Sequence, residues 1–212
     1  MENEIRGFIF DLDGVLVFTD QYHYQAWKMV SNELGVYFDE SINNCLRGVG
    51  RMESLDIILE RCGKNLSSEE KRLAVERKND IYKKLLQQMS PEAVDDEVRE
   101  TLKKLKDRGF CLAVGSSSKN AKYILQRTNL AEMFDAISDG TNISKTKPNP
   151  EVFVKAAESM KLLAKECIVV EDACAGIQAA KAAGMWAVGI GNAEEDVEAD
   201  YVVMSFCELL DL

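Results

Sequence analysis

The sequence predicts a doubly wound parallel α/β sheet carrying a small helical insertion, and three observations lead there. Short apolar runs suited to buried strands recur at residues 8–10, 111–115, 167–170 and 186–190, with a weaker one at 201–203. From the second run onward, helix-period stripes separate the runs, the alternation expected when crossover helices join parallel strands. Between the first run and the rest, residues 18–90 hold no convincing strand.

The first run, Phe8-Ile9-Phe10, leads directly into Asp11-Leu12-Asp13-Gly14. Asp-Gly after an apolar run is a strong turn signal. The same two acids stand at the carboxyl end of a strand, where open α/β sheets gather ligands. There they are also placed to divide the work of a nucleophile and an acid/base. Within 18–90, Leu55, Ile58, Leu59 and Cys62 form one amphipathic stripe. Ser67 and Glu70 read as a capping box ahead of a long helix reaching Ile81, Leu85 and Met89. Ser90-Pro91 breaks that pattern. The expected organisation is a core of residues 1–17 and 91–212 with a helical insert of 18–90.

Val94, Val98, Leu102 and Leu105 mark the next helix, with Gly109 placed to end it. The strand at 111–115 runs into Gly115-Ser116-Ser117-Ser118-Lys119-Asn120. A hydroxyl-rich turn opening a helix offers hydroxyl and N–H groups to a phosphate; it is equally a serine N-cap. Lys147, held extended by Pro148 and just ahead of a helix opened by Pro150, suits an anion or a solvated loop. Val152, Phe153, Ala156, Ala157 and Met160 form that helix's stripe. The strand at 167–170 ends in Glu171-Asp172, either a solvated terminus or oxygen ligands for Mg²⁺.

Composition narrows the classes. Of the 212 residues, 46% are hydrophobic and 29% charged, a soluble globular profile. A net charge of −10 argues against a nucleic-acid partner, and no stretch approaches the roughly 20 apolar residues of a membrane span. Acids in "MENEIRGF" are unlike a signal peptide. Six cysteines without C-x-x-C spacing read as reduced, mostly buried thiols of a cytoplasmic protein. The expected partner is a small molecule, and the expected state a monomer.

Acid pair, hydroxyl, lysine and acid pair, each at an element boundary and in that order, resemble the four motifs of the haloacid dehalogenase superfamily. The resemblance implies a Rossmann-like core with a helical cap. Within that superfamily, "YHYQAWK", "RGVGRMESL" and "ERKNDIYKKLL" are similar to the cap of the β-phosphoglucomutases, and "SSSKN" to that group's S-A-S-K-N. On that resemblance Asp11 takes the phosphoryl group and Asp13 is the general acid/base. Mg²⁺ is held by Asp11, the Asp13 carbonyl, Glu171 and Asp172. Ser116 and Lys147 hold the transferring phosphate, and Arg51 grips the distal one with the loop residues Ser117, Ser118, Lys119 and Asn120. Thr19, His23 and Lys78 correspond to positions linked with cap closure and with aligning Asp13.

The implied reaction interconverts β-D-glucose 1-phosphate and glucose 6-phosphate through an aspartyl phosphate and glucose 1,6-bisphosphate. The rival expectation is a sugar-phosphate phosphatase of the same fold. A non-enzymatic phosphoaspartate switch is opposed by the insert and by the Asp11/Asp13 pairing. Without the resemblance, His23 reads as a packed or solvated helix residue and Arg51 as a surface arginine. The run "EEKRLAVERKND" reads as a solvated helix face, Lys78 and Asn79 excepted, and Cys174 as inert packing. Phe18, Gly50, Ser117 and Ala173 depart from the group's pattern.

Overall fold

The computed structural model describes residues 4–46, 49–191 and 198–212. Its contacts divide the chain into two compact units, Met1–Phe18 with Ser90–Leu212, and Thr19–Met89.

The first unit is a six-stranded sheet, every paired strand parallel, in the order β3-β2-β1-β4-β5-β6. The strands are β1 (Gly7–Phe10), β2 (Cys111–Gly115), β3 (Ala136–Ser138), β4 (Cys167–Glu171), β5 (Trp186–Ile190) and β6 (Tyr201–Val203). The chain lays β2 and β3 on one side of β1, then crosses to place β4 on the other. That reversal opens a crevice at the carboxyl end of β1, the place where such sheets bind ligands.

Alternation of side chains along each strand gives the sheet two apolar faces. On one, Ile9, Ala113, Val169 and Ala187 pack with Val152, Phe153, Ala156, Ile177 and Ala180. These last come from α7 (Glu151–Met160) and α8 (Cys174–Ala182). On the other, Phe8 and Phe10 meet Phe110, Phe134 and Phe206 at ring-centroid distances of 5.2 to 6.3 Å. Removing a fully buried phenylalanine of this kind costs about 3–5 kcal/mol. The remaining helices of this unit are α5 (Asp96–Asp107) and the short α6 (Ala121–Arg127). The stripe expected for α5 holds from Val98 onward; Val94 lies in the turn before it, because Asp95 caps the helix by accepting from Glu97 N–H.

The second unit is helical throughout its described elements: α1 (Asp20–Leu34), α2 (Glu40–Asn44), α3 (Arg51–Arg61) and α4 (Ser68–Leu86). Its core holds Trp27, Val30, Leu55, Ile58, Leu59, Ile81 and Tyr82. The Ser67–Glu70 capping box forms in both directions. Helix α4 stops at Leu86 rather than reaching Met89, and Leu86 is buried where Leu85 is only half so. The Arg47-Gly48 part of "RGVGR" lies outside the described residues. The expectation of mostly buried thiols fails: Cys167 alone is buried, Cys62 and Cys111 are partly so, and Cys45, Cys174 and Cys207 are exposed. Cys174 is therefore no packing residue.

Candidate active site

The pairing of β1 with β4 runs one residue past the strand, Asp11 N–H donating to Val170 O at 2.9 Å. Asp11 is thereby pinned, buried, at the mouth of the crevice. Asp13 follows in a tight loop, half-buried, its N–H donating to Asp11 Oδ2 at 3.1 Å. The loop is possible because Gly14 takes φ +91° and passes against Asp172; a Cβ there would sit 2.2 Å from Asp172 Oδ2.

Lys147, buried, reaches in beneath Asp11. Its Nζ donates to Asp11 Oδ1 at 2.5 Å and to Glu171 Oε1. The Phe153 ring lies 4.8 Å from it. Burial disfavours its charge, but Asp11 and Glu171 more than offset that and raise its pKa above the ordinary lysine value. The peptide linking Lys147 to Pro148 is cis.

Glu171 Oε2 accepts from the N–H groups of Asp172 and Ala173 at 3.1 and 3.2 Å. Its carboxyl lies directly over α8, where a Cβ on Gly176 would fall 1.9 Å from the carboxyl carbon. Burial raises the Glu171 pKa; Lys147 opposes this, while Asp11 and Asp172 add to it. Carboxylate oxygens of Asp11, Glu171 and Asp172 all lie within 4.8 Å of one another. Three buried acids against one buried ammonium leave negative charge uncompensated. Hard oxygen donors in that state fit a divalent cation such as Mg²⁺, which would remove the crowding that raises Glu171.

On the other flank of β1, Ser116 is buried at the end of β2. Its Oγ accepts from Ser118 N–H at 3.1 Å, and Ser118 Oγ accepts from Asn120 N–H at 3.2 Å. These hydroxyls brace a loop, and the serine N-cap alternative does not hold: buried Asn120 occupies the cap of α6, with no side-chain capping bond. Ser117 is half-buried and Lys119 exposed.

Thr19, His23, Arg51 and Lys78 belong to the helical unit. Buried Thr19 stands at the N-cap of α1, its carbonyl accepting from Tyr22 and His23 N–H. Lys78 is 2% exposed, so it is the expected exception to the solvated helix face. Its Nζ is 2.8 Å from His23 Nδ1, 4.5 Å from the Tyr82 ring centroid and 5.3 Å from that of Trp27. An ammonium only donates, so neutral His23 accepts at Nδ1 and carries its proton on Nε2. Burial first, then Lys78 and Arg51, hold the His23 pKa well below its usual value. Arg51, half-buried, is the first residue of α3; burial lowers its pKa and Tyr82 opposes that.

Two glycines, Gly14 and Gly176, matter to this geometry without carrying any chemistry. Gly176 had a sequence signal: a glycine inside a helix costs about 1 kcal/mol against alanine, which points to a close approach.

A parallel sheet that brings a pinned aspartate, a buried lysine and two further acids to its central strand end defines a class of phosphoryl-handling α/β enzymes. The chain belongs to the haloacid dehalogenase-like hydrolase family, whose pattern matches residues 5–184. It is 38% identical, over 97% of its length and 92% of the relative's, to a beta-phosphoglucomutase of Bacillus subtilis. Its structure is similar to that of a beta-phosphoglucomutase from Clostridium difficile, with TM-score 0.91, 38% identity, and coverage of 97% and 93% of the two chains. A fructose-1-phosphate phosphatase of Escherichia coli is 31% identical over 90% of this chain and 98% of its own.

Proposed function

We propose that the protein is a metal-dependent mutase that interconverts β-D-glucose 1-phosphate and glucose 6-phosphate. The observation that carries the reading is the 38% identity over 97% of the chain to a beta-phosphoglucomutase. It stands beside a site in which the acid placed for attack is held by a buried lysine. Asp11 carries the phosphoryl group. Asp13 takes the proton from the 6-hydroxyl as that oxygen attacks phosphorus, giving the 1,6-bisphosphate and free Asp11. After the bisphosphate reorients, Asp11 attacks the 1-phosphate, and Asp13 returns the proton to the departing 1-oxygen. Ser116 and Lys147 hold the phosphate in flight. Asp11, the Asp13 carbonyl, Glu171 and Asp172 would hold Mg²⁺, which neutralises charge on the transferring phosphate. Arg51, with Ser117, Ser118, Lys119 and Asn120, binds the phosphate that is not being transferred, and Thr19, His23 and Lys78 align Asp13. A cytoplasmic, monomeric enzyme belongs to the same reading.

The test is to supply β-glucose 1-phosphate, a trace of glucose 1,6-bisphosphate and Mg²⁺. Glucose 6-phosphate without matching free phosphate is expected; phosphate release equal to substrate loss would show a phosphatase instead. Asp11→Asn and Asp13→Ala are each expected to abolish turnover, and activity kept in either would remove that residue from its role.

A further inference from the structure

The loop after β3 contains a feature the reaction scheme leaves unused. Ser116 N–H donates to Ser138 O at 3.0 Å, and Gly140 N–H donates to Ser118 O at 3.1 Å. The Asp139-Gly140 turn is thus stitched to the Ser116–Asn120 loop from below. A methyl group on Gly140 would lie 2.5 Å from the Ser117 carbonyl oxygen and 2.9 Å from the Lys119 backbone nitrogen. Both distances are too short for any real contact, and both neighbours are backbone. Asp139, wholly buried, shapes the turn: its Oδ1 accepts from Thr141 N–H at 2.9 Å and from the Thr141 hydroxyl. Its own N–H donates to Asn142 Oδ1 at 3.0 Å. On the phosphate-loop side, Ser117 Oγ is buried with no hydrogen-bond partner among the described residues. That segment of the loop is therefore shaped by the turn beneath it.

We infer that the Asp139-Gly140 turn is a positioning element that fixes the Ser117–Lys119 segment, and so sets the grip on the substrate's second phosphate. Its close contacts fall on the backbone of residues 117 and 119 and reach Ser116 Oγ one step further on, through Ser118 N–H. The turn therefore acts on the distal grip first. The inference rests on the mutase reading above.

The experiment compares two substrates in the full-length protein with Mg²⁺. One is glucose 1,6-bisphosphate, which needs both grips and is offered with β-glucose 1-phosphate so that the phosphoryl group on Asp11 passes on to a sugar. The other is p-nitrophenyl phosphate, which has no second phosphate and whose single transfer to Asp11 is read as one burst of p-nitrophenol. Gly140→Ala is expected to raise the bisphosphate concentration needed for half-maximal mutase rate about tenfold, in line with the cost of sub-ångström to ångström misplacement, and to leave the p-nitrophenol burst rate within about twofold. Asn142→Ala, which removes the acceptor of Asp139 N–H, should shift the same ratio in the same direction by a smaller factor, and Asn142→Asp, which keeps the acceptor, should restore it. An unchanged ratio, or an equal loss on both substrates, would overturn the inference. Failure of the parent protein to form glucose 6-phosphate from β-glucose 1-phosphate and the bisphosphate, while it releases p-nitrophenol, would strike at the mutase reading, and the inference would fall with it.

Discussion

At the scale of single residues, His23 shows how a buried cation fixes a neighbour's state. It is the chain's single histidine, so it is the natural source of titration between pH 5.5 and 7.5. Burial, Lys78 and Arg51 hold its folded pKa well below 6.5. As pH falls below about 6.5, the unfolded chain takes the proton before the folded one does. His23 thus costs nothing above that value and removes stability progressively beneath it. The expected result is a lower denaturant midpoint at pH 5.5 than at pH 7.5, with the gap reduced in His23→Gln. Glu171 has the opposite sign, since its raised pKa lets the folded state bind a proton first. The His23 part is therefore read as the difference between parent and variant at each pH, and a gap identical in both would exclude it. Legibility varies at this scale. Asp11, Ser116, Glu171 and Asp172 stood out in the sequence because a polar residue at the end of a buried strand is conspicuous, and Lys147 because Pro148 and Pro150 fix the helix start beside it. Lys78 did not stand out by pattern, since one buried lysine in a charged helix looks like its solvated neighbours until Trp27 and Tyr82 are seen to enclose it.

At the scale of elements, the apolar runs were readable, edge strand β6 among them, and edge strand β3 was not. Strands β1, β2, β4 and β5 are two-sided and buried, so their sequence is nearly all apolar. Edge strand β3 has three residues, one of them serine, and gives no run to detect. Helix α8 is rich in alanine and its sequence carries little stripe, yet through Gly176 it sets where the Glu171 carboxyl lies. Alanine in place of a helix-interior glycine ordinarily stabilises by about 1 kcal/mol. Here the added methyl meets the Glu171 carboxyl at 1.9 Å, so Gly176→Ala must displace that carboxyl, a metal ligand in the reading proposed above. The expectation is weaker binding of Mg²⁺ by titration calorimetry, by about tenfold or more given the usual cost of disturbing a ligand's support, with a matching rise in the Mg²⁺ concentration needed for half activity. Mg²⁺ affinity equal to that of the parent protein would show that Glu171 is not held by this contact.

At the scale of the whole molecule, the charge distribution separates solubility from binding. The chain carries a net −10, which repels a phosphorylated sugar, so attraction must come from cations kept at chosen places. Two such cations are shielded from water in their own units: Lys147 under Asp11, and Lys78 in its aromatic enclosure. Arg51 is another, and its position argues for function over stability. A positive charge in the first turn of α3 opposes the helix dipole, and burial further disfavours it. Removing it should therefore cost α3 nothing. In the reading proposed above, its guanidinium binds the phosphate not being transferred, a charge-assisted contact of about 1.5–3 kcal/mol. Arg51→Ala is then expected to raise KM for β-glucose 1-phosphate and for the bisphosphate by roughly 10- to 100-fold, with the melting temperature unchanged or slightly higher. Arg51→Lys should recover little of the loss, because a lysine cannot present two parallel donors to one phosphate. Unaltered KM values in Arg51→Ala would remove this residue from the site, and a fall in melting temperature with KM unchanged would make it a structural residue of α3.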